Sequence, residues 1–165
     1  MAYFSVWARG SGGWQNAYRP VNGYGLEFAS NSSTVALRRN VAGTVSTVAS
    51  VPGARVVGTG RQWVRLRVSG STVSFRTWAD GAAEPSTWAS SVTDTSVTAP
   101  GQLFVSLVRG GSTTTAKNVT IDDLRVVDPT AAAPDLPPSA PTGLVASGVT
   151  TTAATVSWAA SSDDR

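Results

Sequence analysis

Apolar and polar residues alternate with a period of two along most of this chain, and the three-to-four spacing of a helix is hard to find. The clearest run is residues 61–88, RQWVRLRVSGSTVSFRTWADGAAEPSTW. Val64, Leu66 and Val68 alternate with Trp63, Arg65 and Arg67; after Gly70-Ser71, Val73, Phe75 and Thr77 alternate with Ser74, Arg76 and Trp78. Gly70-Ser71 suits the Gly-first, type II′ turn of a two-residue hairpin. The register then sets Val68 against Val73, Leu66 against Phe75 and Val64 against Thr77 on a core face. The other face pairs Trp63 with Trp78 and Arg65 with Arg76, so two like charges are directly opposed.

Further strands are predicted at 3–8, at 24–28 after the Asn22-Gly23 turn signal, at 35–39, and at 44–51 before Pro52-Gly53. The glycines of 10–13 predict a loop, and a short strand is expected within 92–97. Residues 102–109 are apolar on both faces, which predicts a central strand. In 118–127, NVTIDDLRVV, apolar parity switches across Asp122-Asp123, which predicts a final strand with a β-bulge. Strands about ten residues apart with short polar turns predict an all-β, antiparallel sandwich over residues 1–128. Residues 129–140 are rich in Pro and Ala and predict an extended linker. Residues 141–165 hold enough apolar positions for two strands but not for a core of their own.

Composition agrees with an all-β chain: β-branched residues are frequent, 16 Gly and 9 Pro supply turns, and only 14% of residues are charged. The net charge is +3. Residues 1–128 carry twelve Arg or Lys against seven Asp or Glu, and 129–165 carry one against three. Twelve of the thirteen cations are Arg, from recognition of acidic groups by planar guanidinium forks or from a coding bias that also favours Ala, Val, Gly and Thr. The chain lacks an apolar run of about eighteen residues that would span a membrane as a helix. Its first residues, MAYFSVWARG, lack the features of a secretory signal.

The absence of His and Cys excludes Ser-His-Asp chemistry, His-based metal sites and disulfides. Carboxylate catalysis needs two acids on one face, and Asp122 and Asp123, as neighbours on a strand, would point apart. Asp80, Asp94 and Asp122 lack the ordered spacing of a calcium loop and read as turn-capping residues. The glycine-rich pieces GSGG and RGGS precede no helix and cradle no phosphate, and one Arg-Gly-Gly is too little for nucleic acid. Neither catalytic residue, metal site nor cofactor is therefore expected.

One constellation has the shape of a ligand site. Trp63, Arg65, Arg67, Arg76 and Trp78 would share one hairpin face, offering aromatic surface for a sugar ring and donors for hydroxyls or acidic groups. The pattern also fits a solvated face on which Arg stems lie across Trp rings. Trp14 and Tyr18, with Gln15 and Asn16, form a second candidate on a loop, or else aromatics folded back onto the core.

The motifs WVRLRVSGSTVSFRTWADGAAEPSTW, TAPGQLFVSL and VTIDDLRV make residues 3–127 resemble the later part of a concanavalin A-like, laminin-G-like jelly-roll domain, found in actinobacterial secreted proteins and their phages. Residues 141–160, with Pro141, Leu144, Val156 and Trp158, resemble the opening strands of a fibronectin type III module. These resemblances imply a jelly-roll-like sandwich followed by an incomplete fibronectin-like unit. Domains of the first kind usually begin with strands before the position of Met1, so an excerpt, a shortened variant, or strands supplied by another chain are the expectations. The implied function is non-catalytic surface recognition or adhesion in a larger modular protein, foremost a phage tail or other virion component, extracellular or on the virion surface. The alternatives are a carbohydrate-binding accessory module of a secreted polysaccharide-degrading enzyme, and a structural protein that binds only its assembly partners. Glycans and neighbouring protein chains are the expected partners, rather than nucleic acid or membrane.

Overall fold

The computed structural model describes residues 1–16, 18–56, 60–110, 115–128 and 140–161. All regular structure among them is β-strand. The chain divides into two compact units, Met1–Arg125 and Val126–Arg165.

The first unit contains β1 (Ala2–Gln15), β2 (Arg19–Ala29), β3 (Val35–Val41), β4 (Thr44–Val51), β5 (Gln62–Ser69), β6 (Thr72–Ala79), β7 (Ser90–Thr93) and β8 (Gln102–Arg109). A five-stranded antiparallel sheet has the order β4-β3-β2-β1-β8, and a three-stranded one the order β5-β6-β7. Their facing sides enclose the core: Tyr24, Leu26 and Phe28 of β2, Val35 and Leu37 of β3, Val73 and Phe75 of β6, and Val97. Leu66 and Val68 of β5 and Phe4 of β1 pack against this cluster. The alternation read from the sequence thus places one face of β2, β3, β5 and β6 inside a two-layer all-β sandwich.

The hairpin of β5 and β6 has the predicted register. Trp63 pairs with Trp78, Arg65 with Arg76, Leu66 with Phe75 and Val68 with Val73. Gly70 has φ 56°, while Ser71 is not among the positive-φ residues, as a type II′ turn requires.

Three expectations are corrected. Strand β8 lies at the sheet edge rather than its centre. Its second apolar face has a different cause: Phe104, on the side away from the core, packs edge-on against Trp14 at 4.7 Å, and Leu107 on the other side stays 40% exposed. The glycines of 10–13 do not interrupt β1; they lie within it, at register shifts between Ala8 and Ser11 and between Ser11 and Trp14. Residues 118–127 form no strand and carry no bulge, and Val119, Ile121 and Leu124 are exposed. Alternation sets the face a strand would show, but it does not supply the partner edge whose hydrogen bonds make a strand.

Among residues of the second unit, β9 (Thr142–Ser147) and β10 (Thr155–Ala159) pair antiparallel, with Val156 opposite Ala146. Leu144, Val145, Val156 and Trp158 are exposed, so this hairpin has no core of its own. The linker expected at 129–140 lies outside the described residues except for Ala140.

Candidate functional site

With Leu66, Val68, Val73 and Phe75 committed to the core, the alternate residues of the same hairpin, Trp63, Arg65, Arg67, Arg76 and Trp78, come together on the outer face of the three-stranded sheet. The two tryptophans stack on each other, with ring centroids 6.1 Å apart and planes within 10°. Trp63 Nε1 donates to Asp80 Oδ1 at 3.1 Å, and the Trp63 side chain remains 38% exposed.

Opposed Arg65 and Arg76 are reconciled by Glu84, from the loop between β6 and β7. Its Oε1 lies 3.0 Å from Arg65 Nη1 and 2.5 Å from Arg76 Nη2. Arg76 also donates to the carbonyls of Pro85 (2.6 Å) and Ser86 (3.3 Å), and its guanidinium lies 4.5 Å from the ring centre of Trp88. Arg76 is therefore a fastener between sheet and loop. Arg67, two positions from Arg65 on the same face, is exposed and has no hydrogen bond or ion pair among the described residues.

Beside Arg67 lies an open hollow of about 200 Å³, lined by Arg67, Ser69, Thr72, Ser74, Trp88 and Ser91. Ser74 is buried on this outer face, and its hydroxyl lies 2.8 Å from that of Ser91 across the β6–β7 pair. Of the predicted residues only Arg67 reaches this hollow; the Trp63–Trp78 pair occupies the other end of the hairpin. Sequence reasoning missed Ser69, Thr72, Ser74, Trp88 and Ser91. The available signals were the parity of Ser74, between Val73 and Phe75, and the tryptophan that closes the Asp80-to-Trp88 loop.

The second predicted pair belongs to the outer face of the other sheet. Trp7 is fully buried there, seated over Gly25, its register partner on β2. Trp7 Nε1 donates to Ser5 Oγ (2.9 Å), which lies 2.8 Å from Ser106 Oγ; that hydroxyl donates to the Tyr18 carbonyl at 2.7 Å. The far end of the β1–β2 hairpin is thereby folded back over its own sheet. The Tyr18 hydroxyl donates to Glu27 Oε2 at 3.3 Å and its ring carries the Arg19 guanidinium at 3.9 Å. Burial, then the neighbouring Glu27 carboxylate, push the Tyr18 hydroxyl above its usual range. Glu27, only 6% exposed, is held by Arg38 at 3.0 Å and Arg19 at 3.7 Å. Tyr18 is thus part of a packed cover, while Trp14 stays 50% exposed.

A third polar cluster ties the sheets together. The Tyr24 hydroxyl donates to Asp94 Oδ1 at 2.7 Å and accepts from the Val97 amide at 3.1 Å. Arg39 Nη1 lies 2.7 Å from Asp94 Oδ2, and the Ser96 amide donates to Oδ1 at 2.8 Å. Burial works against the Asp94 anion, but hydrogen bonds from Tyr24, Ser96 and Arg39 outweigh it and bring the carboxyl down to about 2. Burial, followed by the hydrogen bond to Asp94, raises the Tyr24 hydroxyl.

The architecture is an all-β sandwich of antiparallel sheets, with one sheet face bearing tryptophan, arginine and a row of hydroxyls. No protein-family model, curated protein or solved structure matches the chain.

Proposed function

We propose that this chain is a non-catalytic surface-recognition module that binds polysaccharide on the outer face of its three-stranded sheet. The observation that carries the reading is the hollow beside Arg67, where an indole, a guanidinium and four hydroxyl side chains converge on one concave surface. Such a lining combines apolar surface for a sugar ring with groups that fix its orientation. The nearby Trp63–Trp78 stack, partly exposed on the same face, extends the surface along which a chain of sugars can lie. The carboxylates of Glu27, Glu84 and Asp94 are each engaged by arginine, which ties these three to structure rather than to proton exchange with a substrate. The resemblance of residues 3–127 and 141–160 to extracellular and phage modules supports a place in a larger surface-exposed assembly, a phage tail or other virion component, with neighbouring chains as its other partners.

Glycan-array and pull-down binding to insoluble polysaccharide test this reading. Wild-type protein is expected to bind, and Trp88→Ala and Trp63→Ala to bind at least several-fold more weakly while retaining the wild-type circular dichroism spectrum. No binding by wild type, or undiminished binding by both variants, overturns it.

A further inference from the structure

Resting on the polysaccharide reading, we infer that the hollow takes an acidic saccharide, with Arg67 as the residue that grips the carboxylate of a uronic acid unit. The outer face carries three guanidiniums, those of Arg65, Arg67 and Arg76, and Glu84 engages two of them. Arg67 alone of the three has no partner among the described residues, and it borders the hollow. A planar guanidinium meets a carboxylate through two parallel N–H donors, a stronger and more directional contact than any it makes to a neutral hydroxyl.

The rest of the lining accommodates the same ligand. Ser69, Thr72, Ser74 and Ser91 offer hydroxyls, Trp88 offers an indole, and among the described residues no carboxylate lines the hollow. The hydroxyls of Ser74 and Ser91 bond to each other but keep lone pairs that accept from the hydroxyls of a neutral or an acidic sugar alike, so discrimination between the two falls to Arg67. An acidic sugar adds a charged acceptor that matches the Arg67 guanidinium, with no carboxylate among the described lining residues to repel it. At about 200 Å³ the hollow is smaller than the usual drug-sized pocket, a size suited to one ring-sized unit of a chain.

The test is isothermal titration with oligogalacturonate and with its fully methyl-esterified counterpart, which keeps the ring and linkage and removes the charge, supplemented by an array of neutral and uronate-bearing glycans. Wild type is expected to bind the acid form at least about tenfold more tightly than the ester. Arg67→Ala should abolish that preference, and Arg67→Lys, which keeps the charge but loses the fork, should restore only part of it. Arg67 is exposed, so neither variant challenges the fold. Equal affinity for acid and ester, or a preference unchanged in Arg67→Ala, overturns the inference, as does array binding confined to neutral glycans; glycan binding as such would survive these outcomes. An array on which wild type binds nothing overturns the polysaccharide reading itself.

Discussion

Arg65 and Arg76 stand directly opposite each other across the β5–β6 ladder, and both reach the same oxygen, Glu84 Oε1. Opposed like charges weaken a sheet pair, so the hairpin gains from a loop that folds over it and delivers a carboxylate. The same contact fixes the loop, and with it Trp88, beside the hollow. Stability and the proposed recognition surface thus share one ion-paired cluster.

Replacing Glu84 by Gln keeps the shape and removes the charge. The expected loss is about 1 kcal/mol in urea unfolding, since Arg65 is half exposed and Arg76 largely covered. The loss should be smaller when the Glu84 change is made in an Arg65→Gln background, because one opposed charge is gone. An unchanged unfolding midpoint for Glu84→Gln would show that the carboxylate carries no stabilising role.

Gly25 lies beneath the Trp7 indole, where an added Cβ would stand 2.3 Å from Trp7 Cδ2. The ring is fully buried and hydrogen-bonded through Ser5, so it has little freedom to withdraw. Gly25→Ala is expected to destabilise the sandwich by about 3 kcal/mol, at the upper end of overpacking costs. Thermal unfolding followed by circular dichroism reads the loss. A melting temperature equal to wild type would mean that the cover over this sheet is looser than its packing indicates.

The hairpin at Gly70-Ser71 was legible in the sequence to the residue, because period-two alternation and a two-residue turn together leave one register open. Relations between elements distant in the chain were not. That Glu84 would resolve the clash of Arg65 and Arg76 depends on how a loop folds, and neither spacing nor parity encodes that path. Trp7 alternates with Phe4 and Val6 and lies on the side of β1 away from the core. It is buried all the same, because the end of the β1–β2 hairpin curls over it. The segment at 118–127 shows the opposite error, with a strand-like alternation that pairs with no sheet edge. For the candidate site, the face and Arg67 were legible from alternation alone, whereas the hollow needed β7 and Trp88 to be brought alongside β6.

Asp94 gives the sandwich a defined acid sensitivity. Its carboxyl titrates near 2 in the folded protein against an ordinary 3.8, so the folded state favours the anion. A depressed value means that the stabilisation is complete above about pH 4 and is lost as the pH falls towards 2; it does not change between pH 5 and 8. The linkage amounts to about 2 kcal/mol, reasonable for a carboxylate 7% exposed and bonded to Tyr24, Arg39 and Ser96. Asp94→Asn should therefore be less stable than wild type at pH 7 by roughly this amount, and the two proteins should converge as the pH approaches 2. Urea midpoints measured at pH 7, 4, 3 and 2.5 decide the matter. A gap that stays constant down to pH 2.5 would assign the effect of the substitution to lost packing or hydrogen bonding rather than to the anion.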